Sequence, residues 1–270
     1  MMKIETSSPI QIPGPNSGIC NEQILILVFE RLKWDIHALC HIGSVSCRLR
    51  ALAHRLLWRE LCLHRAPRMT LSLTDGSSKR IGGGWLALAK LMFFCMGCQP
   101  TRHFELSRSS PSHFVKVVRF SKTSGRSFLI RGCSMDELHV SDPCEHLNPT
   151  GPVDRKVDLG LYRGVFRSFT KSRTREFLIQ RRVGFEEGMR CPFCGGRVWS
   201  MTAARLIPRR RAARRLGTRT GKLEYFVCLH GHLYGACWLF RLPTGGEPDG
   251  INSDDDDFMD SGDDNDDMEV

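Results

Sequence analysis

Two cysteines separated by two residues give the strongest chemical signal in this chain. They lie in the run Cys191-Pro192-Phe193-Cys194-Gly195, where the glycine permits a tight backbone turn. A turn of this kind directs both thiolates at one metal ion. Zinc in structural sites takes four ligands in a tetrahedron, so a second pair of ligands is required elsewhere in the sequence.

A second pair is available in Cys228-Leu229-His230-Gly231-His232, which follows the strand-like run 223–227. We predict a structural zinc ion (Zn2+) held by four residues, namely Cys191, Cys194, Cys228 and His232. His230 and Cys237 compete for the fourth position. Four protein ligands would close the site, which favours a structural over a catalytic role. A buried cysteine pair without metal is the alternative.

Other groups of residues that could take part in chemistry give weaker signals. His103-Phe104-Glu105 supplies the H-x-E of a zinc deaminase, but no P-C-x-x-C follows at a suitable distance. Cys95, Cys98 and His103 could form half of a second metal site, although buried small hydrophobes explain the cysteines equally well. The candidates for completing it are Cys133, Cys144 and His146. We read Gly82-Gly83-Gly84 as a hinge or turn, because no Gly-Lys-Ser/Thr follows it.

Short β-strands are expected to position the cysteine pairs. Strand-like runs occur at 114–118, 127–130, 159–162, 176–179, 198–201, 223–227 and 238–240. Turn signals such as Ser124-Gly125 and Asp142-Pro143 separate them. These runs predict a β-rich domain that ends in a zinc-ribbon-like element.

The N-terminal segment is helical in pattern. Apolar residues between Asn21 and Leu32 return every three or four positions, but they cover more of the helix than one core-facing stripe requires. Asp35 and Ser44 are predicted N-caps of two further helices. Three short helices bury a core poorly, so a partner is expected. The alternative is a helical cap that packs on the rest of the chain.

The runs Val45-Ser46-Cys47-Arg48-Leu49-Arg50 and Leu57-Trp58-Arg59-Glu60-Leu61 complete a layout that resembles an F-box. The usual Leu-Pro opening is replaced by Cys20-Asn21. The resemblance implies that this helix docks on a Skp-type adaptor, which links it to a cullin and a RING protein. The residues expected to contact the adaptor are Ile24, Leu25, Val28, Phe29 and Leu32.

Composition limits the class of protein. The most apolar stretch, 85–96, is too short for a bilayer and contains Lys90, and residues 1–18 have no signal-peptide core. We therefore expect a soluble, unsecreted protein. In a reducing compartment its twelve cysteines favour metal binding or free thiols over disulfides.

Charge is distributed unevenly along the chain. Residues 247–270 carry ten Asp and two Glu without Lys or Arg, against a net +22 on residues 1–246. The tail is predicted to be disordered and solvated, or to shield the basic body or contact a basic partner. A basic cluster predicts nuclear import or an anion-binding patch, with a solvated loop as the alternative. It consists of Arg209, Arg210, Arg211, Arg214 and Arg215.

Several of these motifs occur in order over residues 19–240, together with Arg119–Phe128 and Ser141–His146. In this the chain resembles the plant F-box family typified by the Empfindlicher-im-dunkelroten-Licht protein. The resemblance implies a nuclear substrate receptor of a Skp, cullin and F-box ubiquitin ligase, acting in far-red light or abscisic-acid signalling. Such a subunit is not an enzyme. The positive charge of the body predicts a target with an acidic or phosphorylated segment, and the alternative is that this charge serves nuclear import only.

Together these patterns predict an α+β protein: a three-helix F-box, a β-rich domain ending in a zinc-ribbon-like element, and a disordered acidic tail. The expected boundaries are 1–18 for a flexible N-terminus, 19–65 for the F-box, 80–185 for a substrate-recognition region, 186–242 for the ribbon and 243–270 for the tail. The main alternative function is a zinc-containing nuclear regulator that binds nucleic acid. A scaffold that binds the adaptor without recruiting a cullin is a further possibility.

Overall fold

The computed structural model describes residues 21–74, 81–95, 119–147, 158–207 and 209–239. The predicted flexible N-terminus, the strand at 114–118, Cys98, His103 and the acidic tail lie outside these ranges. The helices are α1 (Glu22–Arg31), α2 (Ile36–Val45), α3 (Cys47–Leu52), α4 (Trp58–Arg65), α5 (Pro67–Thr74), α6 (Trp85–Phe93), α7 (Arg173–Gln180) and α8 (Arg209–Leu216). The strands are β1 (Phe120–Ser124), β2 (Glu137–Ser141), β3 (Cys144–Leu147), β4 (Asp158–Phe166), β5 (Val198–Ser200), β6 (Thr218–Cys228) and β7 (His232–Leu239).

The segment predicted to be an F-box forms a helical cluster. Asn21 caps α1 and Asp35 caps α2, with the Asp35 carboxylate accepting a hydrogen bond from the Ala38 N–H at 2.8 Å. The prediction for Ser44 was wrong: Ser46 caps α3, whereas the Ser44 hydroxyl donates to the His41 carbonyl within α2. A π turn at Ala53–Leu57 joins α3 to α4, so residues 47–65 form one helical rod.

The strands form one antiparallel sheet of seven strands in the order β1, β2, β4, β7, β6, β5, with β3 also paired to β4. β2 and β3 lie along the same edge of β4 as one interrupted strand. Their register against β4 shifts by one residue between Val140 and Cys144, where Pro143 cannot donate to the ladder. The strands predicted to form a ribbon, β6 and β7, are therefore joined through β4 to the rest of the sheet.

Both faces of the sheet are covered. One face packs against the N-terminal helices, and Leu161, Val165 and Phe226 share a core with them. The other face packs under α7 and α8. The run 176–179 was predicted to be a strand and is helical in α7. The Ser172 hydroxyl accepts a hydrogen bond from the Arg175 N–H, and the Asp136 carboxylate accepts from the Arg173 and Thr174 N–H groups. These caps favour a helix over the strand-like composition. The run 127–130 was likewise predicted to be a strand, but Ser127 ends the 3-10 turn Gly125–Ser127 and residues 128–130 continue as an irregular segment.

α6 belongs to the first core, and six of its nine residues are buried. Its C-terminal end rests on Arg163 of β4, which is 2% exposed. The Arg163 guanidinium donates to the carbonyl oxygens of Leu91 at 3.0 Å, Met92 at 3.3 Å and Phe94 at 3.0 Å. Carbonyl groups at a helix end have no partner within the helix, so this cation satisfies them and complements the helix dipole. None of the helices that the structure describes is long and apolar enough to cross a membrane.

Replacing this cation should destabilise the fold. Arg163→Met keeps much of the apolar stem but leaves the α6 carbonyls buried and unsatisfied, which costs about 1–3 kcal/mol per group. We expect the free energy of unfolding to fall by about 3 kcal/mol and the melting temperature by about 6–12 °C. Thermal denaturation followed by circular dichroism would measure this loss. Arg173→Met, at an exposed position, is the control and should change stability by less than about 0.5 kcal/mol. Equal stability of the two variants would contradict this role of Arg163.

Candidate functional site

The first cysteine pair lies on the turn that its sequence predicts. The N–H of Gly195 donates to the Cys191 carbonyl at 2.8 Å, and the Cys191 N–H donates to the Gly196 carbonyl at 2.9 Å. Gly195 has a φ of 72°, a conformation that glycine adopts without steric cost. The turn thereby closes on itself and presents the Cys191 and Cys194 side chains on the same side.

The second pair lies where β6 turns into β7. Cys228 is the last residue of β6 and His232 is the first of β7. Gly231, with a φ of 82°, donates its N–H to the Cys228 carbonyl at 2.8 Å and tightens the connection. The N–H groups of His230 and His232 point at the Cys228 sulfur at 3.4 and 3.3 Å. Donors around a sulfur favour its thiolate form, which is the form that binds metal.

The fold brings the four predicted ligands together. One ligand atom from each of Cys191, Cys194, Cys228 and His232 lies within 4.8 Å of all the others. The Cys194 and Cys228 sulfurs are 3.7 Å apart, and His232 Nδ1 is 3.7 Å from the Cys191 sulfur and 3.4 Å from the Cys228 sulfur. Tetrahedral zinc with ordinary bond lengths would place such atoms about 3.5–3.8 Å apart. The four side chains can hold a metal ion.

The electrostatics of the cluster also fit a cation. Burial raises the pKa of the Cys191 thiol, and it raises the pKa of Cys228 to about 12. Hydrogen bonds from these two thiols lower the pKa of Cys194. Three thiolates at this distance would repel one another, which opposes the loss of all three protons in the absence of a cation. A divalent cation removes that restriction and releases the remaining protons.

The competing ligands lie elsewhere. Cys237 is buried on the opposite face of the sheet, where its thiol donates to the Gly160 carbonyl at 3.4 Å. His230 Nδ1 approaches only the Cys194 sulfur, at 3.3 Å, and its side chain is exposed. His232 is fully buried, and its ring meets the edge of Phe193 with centroids 5.8 Å apart. The geometry therefore favours His232 as the fourth ligand.

Cys191, Cys194, Cys228 and His232 form the one metal-binding group of three or more such residues in the part of the chain that the structure describes. Cys95 is buried beside Arg163, and the Arg163 guanidinium lies 3.6 Å from the Cys144 sulfur. Cys133 belongs to the core on the other face. The side chain of His146 is not among those described. The fold thus does not bring Cys95, Cys144 and Cys133 together as a second site.

Sequence analysis missed the packing of the glycine turn at 81–84 against this cluster. A Cβ atom on Gly82 would lie 2.5 Å from the His230 carbonyl oxygen, and one on Gly83 would lie 2.6 Å from His232 Cε1. The turn therefore requires glycine because the metal ligands occupy the neighbouring space. Since α6 begins directly after the turn, the cluster fixes the start of that helix.

A second candidate surface lies on α1. Ile24, Leu27, Val28 and Leu32 are 46%, 61%, 41% and 46% exposed, and together with Arg31 they line an open groove of about 340 Å³. Leu25 and Phe29 were predicted to contact the adaptor, but they are 1% and 0% exposed. They face the core of the helical cluster, so their contribution is to the fold. Leu27 was missed, although its position three residues after Ile24 places it on the same side of the helix.

The predicted basic cluster lies on α8, with its apolar side on the sheet. Ala212, Ala213 and Leu216 are buried in the second core. Arg210, Arg211 and Arg214 are exposed, and Arg215 is partly buried. The side chain of Arg209 is not among those described. The cluster is thus part of a packed helix, which excludes the solvated-loop alternative.

Comparison with known proteins places these features in a family. The family model described as the EID1-like F-box protein 2 C-terminal domain matches residues 101–238, which include all four candidate ligands. The chain is 53% identical to EID1-like F-box protein 3 of Arabidopsis thaliana over 257 residues, 94% of this chain and 93% of that protein. It is 42% and 41% identical to EID1-like F-box proteins 1 and 2 of the same plant. These matches cover 88% and 83% of this chain, and 79% and 88% of the relatives. No solved structure matches the chain.

The ligand assignment can be tested by measuring bound metal. We expect His232→Ala to lose most of the metal that the purified protein carries, because a closed tetrahedral site needs all four ligands. His230→Ala and Cys237→Ala are the controls and should keep it. Inductively coupled plasma mass spectrometry on each variant gives the metal content per chain. If His232→Ala keeps its metal and one of the controls loses it, the fourth ligand is that control residue instead.

Proposed function

Because this chain belongs to the family of EID1-like F-box proteins, we propose that it is the substrate-receptor subunit of a Skp-cullin-F-box ubiquitin ligase. The helical cluster would dock on the Skp-type adaptor, and the remainder of the chain would hold a target protein for ubiquitination and proteasomal degradation. Residues 19–65 would be the F-box, 80–185 the recognition region and 186–242 the zinc-bearing element. By family resemblance the pathway would be far-red light or abscisic-acid signalling in a plant.

The exposed apolar stripe of α1 is the observation that carries this proposal. Leu25 and Phe29 anchor the helix in its own core, where each buried side chain contributes about 1.5–3 kcal/mol. Ile24, Leu27 and Val28 point away from that core and meet solvent. An apolar face on a helix that is already anchored is suited to a partner, as in helix-in-groove recognition.

The chain would act without making or breaking bonds itself. In a ligase of this kind the receptor holds the target beside a charged conjugating enzyme. That placement raises the effective concentration of the target's lysines. The metal centre fits this non-catalytic role, because three of its four ligands are fully buried and protein ligands fill a tetrahedron. We propose that the metal is zinc, which three sulfurs and one imidazole nitrogen suit best.

The adaptor contact can be tested by co-purification. We expect Leu27→Asp/Val28→Asp to abolish stable binding of a Skp-type adaptor, because two charges would be buried in an apolar interface. Both positions are exposed in the free protein, so the variant should keep the wild-type melting temperature. Met135→Asp/Ile179→Asp, at two exposed apolar positions outside α1, is the matched control and should bind normally.

Three outcomes of that experiment are informative. Adaptor binding with co-purification of a cullin supports the ligase subunit, whereas adaptor binding without a cullin would indicate a scaffold outside a ligase. If the wild-type protein does not bind the adaptor, the receptor proposal fails. Steeply salt-dependent binding of DNA or RNA would then favour the alternative of a nuclear nucleic-acid-binding regulator.

We also propose a nuclear location, supported by the arginine cluster of α8. A fluorescent fusion of the intact protein should accumulate in the nucleus. The variant Arg210→Gln/Arg211→Gln/Arg214→Gln should shift toward the cytoplasm. The control Lys171→Gln/Arg182→Gln/Arg190→Gln removes three exposed cations elsewhere and should remain nuclear. Unchanged accumulation of the first variant would remove the support that α8 gives to this proposal.

A further inference from the structure

The fold brings together two basic segments that contain no acidic residue. Residues 106–135 and 188–223 carry neither Asp nor Glu. The two segments meet where the Ile130 N–H donates to the Leu206 carbonyl at 3.0 Å. The 3-10 turn Gly125–Ser127 also contacts α8. Some of the cations that the structure describes in these segments therefore lie on one side of the sheet, where neither segment supplies a carboxylate to neutralise them.

The exposed cations on this side define what we call the arginine face: Arg126, Arg205, Arg210, Arg211 and Arg214. None of them forms an ion pair with another residue that the structure describes. The buried side of α8 holds the helix firmly on β6, so its three arginines project from a fixed base. Arginines on a rigid element are well suited to recognise an anion.

The arginines of α8 are placed against the electrostatic preferences of a helix. Residues 209–211 fill its first turn with cations, where the helix dipole favours anions and where no acidic residue is present. Arg210 and Arg214 are four residues apart and Arg211 and Arg214 three apart, so their charges also repel. A bound anion would offset both the unfavourable interaction with the helix dipole and the repulsion between the arginines. The arrangement therefore suits an anion-binding surface.

A cavity of about 290 Å³ lies beside the start of α8. Thr202, Arg205, Ile207, Leu223 and Tyr225 line it, and Ile207 is two residues before the helix. Ile207, Leu223 and the ring of Tyr225 give it apolar walls, whereas Arg205 and Thr202 supply a cation and a hydroxyl. The cavity can therefore admit one apolar side chain of a ligand whose anionic group meets the arginines.

We propose that the arginine face and this cavity bind a segment of the target protein that carries a phosphoserine or phosphothreonine next to an apolar residue. The proposal rests on the proposed function as a substrate receptor. A phosphate has close to two negative charges and three acceptor oxygens, and it accepts paired hydrogen bonds from a guanidinium. It can thus engage several arginines at once, which a single carboxylate does less well.

Nucleic acid fits this surface less well. Proteins that bind single strands usually stack bases on exposed aromatic rings. Among the large apolar side chains that are exposed in the described part of the chain, none is aromatic. A cavity that admits one side chain is also a feature of peptide recognition rather than of phosphate-backbone binding.

The test uses the intact protein and two degenerate peptide pools labelled with fluorescein. In one pool a central phosphoserine is flanked by five random residues on each side; the other has unmodified serine at the centre. Fluorescence anisotropy should show binding of the phosphorylated pool alone. Arg210→Gln/Arg211→Gln/Arg214→Gln should weaken it about tenfold or more, since several charge-assisted hydrogen bonds are lost. Arg205→Gln should weaken it as well.

The control Lys171→Gln/Arg182→Gln/Arg190→Gln should bind the phosphorylated pool within about twofold of wild type, because it removes the same charge outside the arginine face. Equal binding of the two pools, or an equal loss in test and control variants, would overturn the proposal. So would competition by a random single-stranded DNA at lower concentration than the phosphorylated pool. Adaptor co-purification with the same variants separates the two proposals, because it depends on α1 and should be unchanged.

Discussion

The contact between the glycine turn and the Cys/His cluster is the constraint on which the arrangement of this protein depends. Gly82 lies so close to the His230 backbone, and Gly83 to the His232 ring, that no side chain fits between them. The contact fixes the start of α6 against the Cys/His cluster, and Arg163 fixes its end against β4. A helix held at both ends cannot shift or rotate on the sheet. Because α4 packs on α6, the helical cluster to which α1 belongs is held in a fixed orientation on the sheet as well.

The metal ligands could be predicted from sequence because their geometry is local. Each pair lies on a tight turn within five residues, and the spacing alone aims both side chains in one direction. What local spacing could not provide was the choice among His230, His232 and Cys237. That choice depends on strand alternation, since β7 turns His232 toward the cluster, whereas Cys237 lies in the core on the opposite face. The role of Gly82 and Gly83 was also hidden, because their neighbours are about 150 residues away in the chain.

For the N-terminal helices, the sequence predicted the elements but not which of their residues are buried. The pattern of α1 predicted an excess of apolar surface but not which residues form it. Leu25 and Phe29 were therefore predicted to be at the surface although they are buried, and the exposed Leu27 was overlooked. Their positions follow from how the other helices complete the shared core, which the periodicity of one helix does not specify. The run 176–179 favours a strand by composition, yet two caps favour the helix: Ser172, which directly precedes α7, and Asp136 from another segment. Fold class and candidate ligands were thus accessible, while faces and long-range caps required the structure.

The position of α6 has a consequence for how the chain is made. A ribosome releases this helix, in which Lys90 is the one charged residue, well before some of the residues that cover it. Arg163 follows 70 residues after Phe93, and His232 follows 139 residues after it. At about 5–20 residues per second, α6 lacks its complete cover for roughly 7–28 s of synthesis. Throughout that interval part of the apolar surface of α6 is uncovered, so its complete burial waits for the last strand to emerge.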